Sequence, residues 1–338
     1  MPTKNRLSFL LLAVVGASMT ISVSSSAGAQ PMHAAAPNLG MRGRSVPAVQ
    51  QPARGGDVPA VQNPNMSIGN FGMIDFPGAN ASSAIGINNK GWVVGGYGGA
   101  DVFENPNNSF VLKGTIFKSI GYPGAVSTEA NAINDSGTVV GYYTDTSGDV
   151  RSFQFDGTSY LPIDNPKAVA PYGTVAWGIN KYGVVVGGYW DGTKSHGFTL
   201  DNGNYNDIDV PGSTYTTVLG INKAGSIVGW YGGPDGRVHG FFYDGSFKTI
   251  DNPGYSANYV EGINDKGQLV GGCGDGVGAH YVYQHGFLYE NGQFTSIDVP
   301  FGPAVVTQPG VINNKGAIVG LYVDGSGTIY GFSASVGP

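Results

Sequence analysis

Two glutamates, Glu129 and Glu261, are the best acid/base pair this chain offers. Paired carboxyls can divide a proton-transfer task between a protonated acid and an ionised base, as glycoside cleavage requires. His280 and Arg237 are the other groups suited to a catalytic pocket, one titrating near neutrality and one permanently cationic. A second chemistry is written in rings. Trp177, Trp190, Trp230, Tyr255, Tyr259 and Tyr281 are flat, amphipathic side chains of the kind that hold sugar C–H faces or peptide side chains. The chain has no Gly-x-Ser-x-Gly elbow, P-loop, Rossmann fingerprint or His-Glu-x-x-His, so serine acyl transfer, nucleotide binding and zinc proteolysis have no support.

Other reactive types recur too regularly to form one site. His196, His239 and His285 each begin a His-Gly-Phe triplet. Equivalent positions in a ring stand too far apart to share one zinc ion, so the expected role is a repeated core or inter-repeat hydrogen bond. Asp75, Asp164, Asp209, Asp251 and Asp298 each precede a Pro-containing turn and are expected to bond local backbone. The Asp145–Asp149 segment has a calcium-loop flavour without the ligand run or the distal Glu. No metal and no cofactor is expected. Cys273 is the only cysteine and stands where the five other repeats carry Tyr, which marks it as a buried substitution.

These residues depend on a repeat for their placement. Gly86-Ile87-Asn88-Asn89-Lys90-Gly91-Trp92-Val93-Val94-Gly95 recurs with its asparagine at Asn134, Asn180, Asn222, Asn264 and Asn313. The spacings suit one propeller blade each and are too long for a turn of a β-helix. Each copy reads as four strands: one ending at Ile-Asn, a Val-Val-Gly strand, a strand carrying Phe, and a Phe-x-x-Ile-Asp strand. The Asn side chain can bond backbone two residues on, and the Gly three residues on supplies φ > 0 for the hairpin. Gly95, Gly141, Gly187, Gly229, Gly271 and Gly320 are expected to allow close approach between blades.

The last copy lacks a fourth strand, and Phe71-Gly72-Met73-Ile74-Asp75 before the first copy has that pattern. The expected fold is all-β: a six-bladed β-propeller with four antiparallel strands per blade, closed by the N-terminal strand completing the last blade. Closure removes exposed sheet edges.

The Gly-Ile-Asn-x-x-Gly-x-Val-Val-Gly-x-Tyr block, the His-Gly-Phe triplets and Ile-Asp-x-Pro-Gly together resemble the bacterial extracellular HAF-type repeat. The resemblance covers about Gly69 to Pro338. It implies export and a β architecture, and it implies no particular activity. Asn108, Arg151 and Tyr330 replace the His in three copies.

The N-terminus supports the same compartment. Lys4 and Arg6 precede an apolar run ending near Val23, and Ala27-Gly28-Ala29 suits signal-peptide cleavage. The expected organisation is a signal peptide over 1–29, a Pro/Ala/Gln/Gly-rich disordered spacer over 30–66 and the propeller over 67–338, secreted to the periplasm or beyond. The net charge of −6 gives no electrostatic reason to bind nucleic acid, and no later stretch suits membrane insertion. A monomer is expected.

Symmetry then separates frame from function. Residues repeated in every copy belong to the frame, whereas a single site needs different groups at different angles. The symmetry-breaking glutamates and aromatics fall in the segments joining fourth to first and second to third strands, and are expected on one loop face. Two functions follow. One is a non-enzymatic binding or scaffold propeller for a carbohydrate or peptide. The other is a polysaccharide lyase or glycoside hydrolase using Glu129 and Glu261, which sit three copies apart on opposite sides of the ring.

Overall fold

A computed structural model describes residues 67–98, 108–275, 284–302 and 304–337. The expected leader and spacer lie outside the described residues, as do His280 and Tyr281. The chain is an all-β propeller. The third repeat shows the unit: Thr174–Ile179, Val185–Trp190, Ser195–Asp201 and Asn204–Ile208 form an antiparallel sheet in chain order. The other repeats follow it. The fourth and fifth sheets touch through one parallel pair, Val238 with Ala257. In the first repeat the inner strand is interrupted, and Ala81–Ser82 and Gly86–Ile87 both pair with Val93–Gly98. Val306–Ile312, Ala317–Val323 and Ile329–Val336 form the last repeat, and Ile68–Ile74 pairs antiparallel with Ile329–Val336 as its fourth strand.

The turn asparagines join the repeats. Asn180 Oδ1 accepts from the backbone N–H groups of Tyr182 (3.0 Å) and Val184 (3.1 Å), which fixes its own hairpin. Its Nδ2 donates to the carbonyl of Asn222 in the next repeat. The same link runs from Asn88 to Asn134, Asn134 to Asn180, Asn222 to Asn264 and Asn264 to Asn313. Asn313 then donates to the Asn88 carbonyl at 3.0 Å, which closes the circuit. Gly183, three residues after its asparagine, has φ +87°, as the hairpin demands. Phe110, Phe153, Phe198, Phe241, Phe287 and Phe332 are all fully buried between sheets.

Three expectations change. The second-strand glycines do not serve contacts between blades. A Cβ on Gly141, Gly187 or Gly271 would overlap the carbonyl of Glu129, Val175 or Tyr259 on the inner strand of the same repeat. The inter-repeat glycines stand two residues before the turn asparagine, where a Cβ on Gly262 would lie 2.7 Å from the Gly310 carbonyl. Three third-strand histidines and the fourth-strand aspartates beside them are partners of one another rather than of neighbouring blades, and Asp251 also accepts from the Gly240 backbone N–H at 3.3 Å. His196 Nδ1 lies 2.6 Å from Asp209, His239 Nδ1 lies 2.6 Å from Asp251, and His285 Nδ1 lies 3.2 Å from Asp298. Adjacent antiparallel strands put the two side chains on one face, so the pair forms within a sheet. The first repeat lacks both members, with Asn108 and Gly121 at these places.

Candidate ligand site in the central channel

The inner strands break register at one repeated place. The shift falls between Ala130 and Ala132, Ala176 and Gly178, Val218 and Gly220, Val260 and Gly262, and Pro309 and Val311. A β-bulge of this kind adds a residue outside the ladder and re-aims its side chain. The bulge residue always stands three before the turn asparagine. It is Asn131, Trp177, Leu219, Glu261 and Gly310, with Ile85 at the matching place in the first repeat. All six line one chamber in the channel. Five residues before the asparagine stand Ser83, Glu129, Val175, Thr217, Tyr259 and Gln308, again all different. The residue immediately before the asparagine is Ile in every repeat. The frame repeats, and the wall of the chamber does not.

The chamber has a volume of about 80 Å³, room for one polar group with a few waters rather than for an extended chain. Glu129 enters it on Ser127–Ile133 and is 6% exposed. Burial without a paired cation pushes its carboxyl from 4.5 up to about 8, because charge is costly away from water. Tyr142 stands directly across the ladder from Glu129, and burial together with the Glu129 charge raises its phenol. The Trp177 ring meets Tyr142 edge-on, with centroids 6.1 Å apart. On another part of the wall, Gln308 Nε2 donates to Glu261 Oε1 at 3.5 Å. Asn131 is 1% exposed; its Nδ2 donates to the Ala176 carbonyl at 2.8 Å, and its Oδ1 has no partner among the described residues. Trp177 Nε1, on the same wall, is likewise buried without one. Buried polar atoms are ordinarily satisfied, so this concentration marks a place built for polar contact.

A second cavity of about 110 Å³ lies on the side of the asparagine turns, lined by all six of those asparagines and sharing Trp177, Leu219 and Val311 with the chamber. An apolar cluster around Leu219 and Leu321 includes Trp230 and Tyr259, whose rings meet edge-on at 5.5 Å.

The sequence-derived candidates divide accordingly. Glu129, Glu261 and Trp177 come together in the chamber, three of its lining residues. Trp230 and Tyr259 do not present their rings on a loop face: at 5% and 3% exposure they are buried against one another beside the channel. Their strands are the inner two of each sheet, which face the axis. Trp190 is half-buried and packs edge-on against Tyr172 at 5.9 Å. Tyr255 is half-buried near the His285 ring, and Arg237 is exposed beside Asp235 in a second-to-third-strand loop. Those three belong to the loop side. Cys273 is buried, accepts from Asn252 Nδ2, and has its thiol pushed up to about 12 by burial, as a structural residue would. Sequence reasoning missed Asn131, Tyr142 and Gln308. Aligning the repeats on the turn asparagine and reading each column would have found them, because their columns vary where the neighbouring ones repeat.

No protein-family sequence model matches the chain, and no curated protein does. Among solved structures it is similar to a mutant of the Aleuria aurantia lectin in complex with Fucα1-6GlcNAc, at 11% identity and a TM-score of 0.46, covering 77% of this chain and 95% of that one. It is similar to a protein of unknown function from Dyadobacter fermentans, at 12% identity and a TM-score of 0.48, covering 81% and 100%. A sialidase of Trypanosoma rangeli gives 7% identity and a TM-score of 0.47, covering 76% and 55%. At these values the likenesses carry no weight for the site, which rests on the strand register and the chamber wall.

Proposed function

We propose that this protein is an exported, non-enzymatic binding propeller of six blades, built from HAF-type repeats, whose ligand site is the channel chamber. The ligand favoured is a carbohydrate that inserts one terminal group. The observation that carries this reading is the contrast between columns: the frame positions repeat, whereas the bulge position and the position two residues earlier differ in all six copies. Aromatic rings beside buried hydrogen-bonding groups suit a sugar, which has apolar faces and polar edges. The test is a glycan-binding screen on the full chain, repeated with Trp177→Ala and Leu321→Trp. Both residues line the chamber, the first variant removing a wall and the second filling the space. Binding that both variants leave unchanged refutes the chamber as the site.

One observation favours a second reading. Glu129 and Glu261 line the same chamber, and the raised Glu129 would be protonated at neutral pH, as a general acid must be. Under that reading the protein is a glycoside hydrolase or polysaccharide lyase. Product analysis of any bound glycan separates the two, since a binder returns its ligand intact.

A further inference from the structure

We propose that the chamber is a site for a protonated amine, and that the group it takes is the ammonium of an amino sugar. This rests on the reading of the chamber as the ligand site. Glu129 is more than nine-tenths buried and lines the chamber, and burial alone governs its carboxyl. An unpaired carboxyl at such depth is unfavourable unless it stays protonated or meets a cation. Among the described residues, no Lys, Arg or His lines the chamber, so the fold itself does not supply the cation.

The remaining wall fits an ammonium group. Asn131 Oδ1 is a buried acceptor without a partner, and an ammonium offers three donors and no acceptor. Asn131 is the bulge residue and Glu129 stands two residues before it on the same strand, and both line the chamber, so both can be reached by one small group. Tyr142 and Trp177 add ring faces, which attract cations. Trp177 Nε1 is a buried donor without an acceptor, so the ligand should also carry an oxygen close to its nitrogen. A 2-amino-2-deoxy sugar has both. Glu129 would give up its proton as the ammonium enters, since the nearby positive charge stabilises the carboxylate.

The experiment is calorimetry on the full chain at pH 7 with four probes: glucosamine, a glucosamine oligosaccharide, N-acetylglucosamine and Nα-acetyl-lysine. The two glucosamine probes should bind, N-acetylglucosamine should bind roughly tenfold or more weakly, and heats measured in buffers of differing ionisation enthalpy should show proton release. Nα-acetyl-lysine separates a sugar source from a lysine side chain, and binding it as tightly as glucosamine overturns the amino-sugar assignment. Glu129→Gln should weaken glucosamine roughly tenfold or more with cooperative unfolding retained, and Glu129→Asp should restore part of it. Equal binding of glucosamine and N-acetylglucosamine, or no loss in Glu129→Gln, overturns the ammonium site. If Leu321→Trp blocks a neutral sugar that Glu129→Gln still binds, the chamber stands and the amine falls. If neither variant alters any binding, both readings fall.

Discussion

Glu129→Gln should change how stability depends on pH. The Glu129 carboxyl rises from 4.5 to about 8 because it is buried with no cation beside it. Between those values the folded chain keeps the proton and the unfolded chain releases it, so stability falls as pH rises. The contribution is fully present below pH 4.5 and lost once the pH passes about 8. At about 1.4 kcal/mol per pH unit the ceiling is about 5 kcal/mol. His239 acts in an overlapping window with the same sign. Desolvation lowers its basicity, but Asp251 and Asp235, at 2.6 and 3.1 Å, outweigh that and raise it. Its contribution is present below pH 6.5 and lost as the pH rises through the raised value. The difference between wild type and Glu129→Gln removes the histidine from the comparison. Urea unfolding followed by tryptophan fluorescence at pH 5, 6, 7, 8 and 9 measures it. The variant should gain on the wild type by several kcal/mol between the first and last of these, on the order of the ceiling above. Parallel pH profiles for the two proteins would refute the account of Glu129 as a buried acid.

Asn180→Ala removes two acceptor contacts and one donor contact, and should cost about 2–4 kcal/mol in urea unfolding, with Asn180→Asp intermediate because Oδ1 survives. Gly183→Val should destabilise by about 1–3 kcal/mol through its positive φ alone, since nothing lies within 4 Å of a Cβ there, and Gly183→Asn should recover most of the loss. Gly187→Ala should cost more than Gly183→Ala although its φ is ordinary, because its Cβ would strike the Val175 carbonyl and the Phe198 ring. Deleting Ile68–Ile74 should lower the melting temperature sharply or cause aggregation by uncovering Ile329–Val336.

The propeller was legible because its frame is written six times. Asn-x-x-Gly gave the hairpins, Phe the buried positions, and the strand count pointed to the pairing now seen between Ile68–Ile74 and Ile329–Val336. The site was half legible. Glu129, Glu261, Trp177, Trp230 and Tyr259 were all singled out as breaks in symmetry, yet expected on a loop face. What hid the placement of all but Trp230 is the bulge. A strand alternates its side chains with period 2, and one extra residue at Asn131, Trp177 or Glu261 shifts that alternation midway, so the residues on either side of it cannot be assigned to a face by counting. The separation expected between Glu129 and Glu261 was a matter of radius: opposite repeats are far apart at the rim but meet at the axis. The His–Asp pairs were partly within reach, because every repeat with His keeps the Asp and the one repeat lacking Asp, at Gly121, also lacks His, although Arg151 and Tyr330 replace His in repeats that keep Asp164 and Asp75.

The seam between Ile68–Ile74 and Ile329–Val336 also has a meaning in time. Ile68 is paired with Val336, so this strand finds its neighbour only after all the intervening repeats have been made. Every other described strand has a partner within its own repeat and can form locally. Bringing such distant segments together is entropically costly before it is rewarded, so this pairing should form after the local ones. Until it forms, Ile329–Val336 keeps a bare edge, and its formation joins two segments that no other strand pairing links.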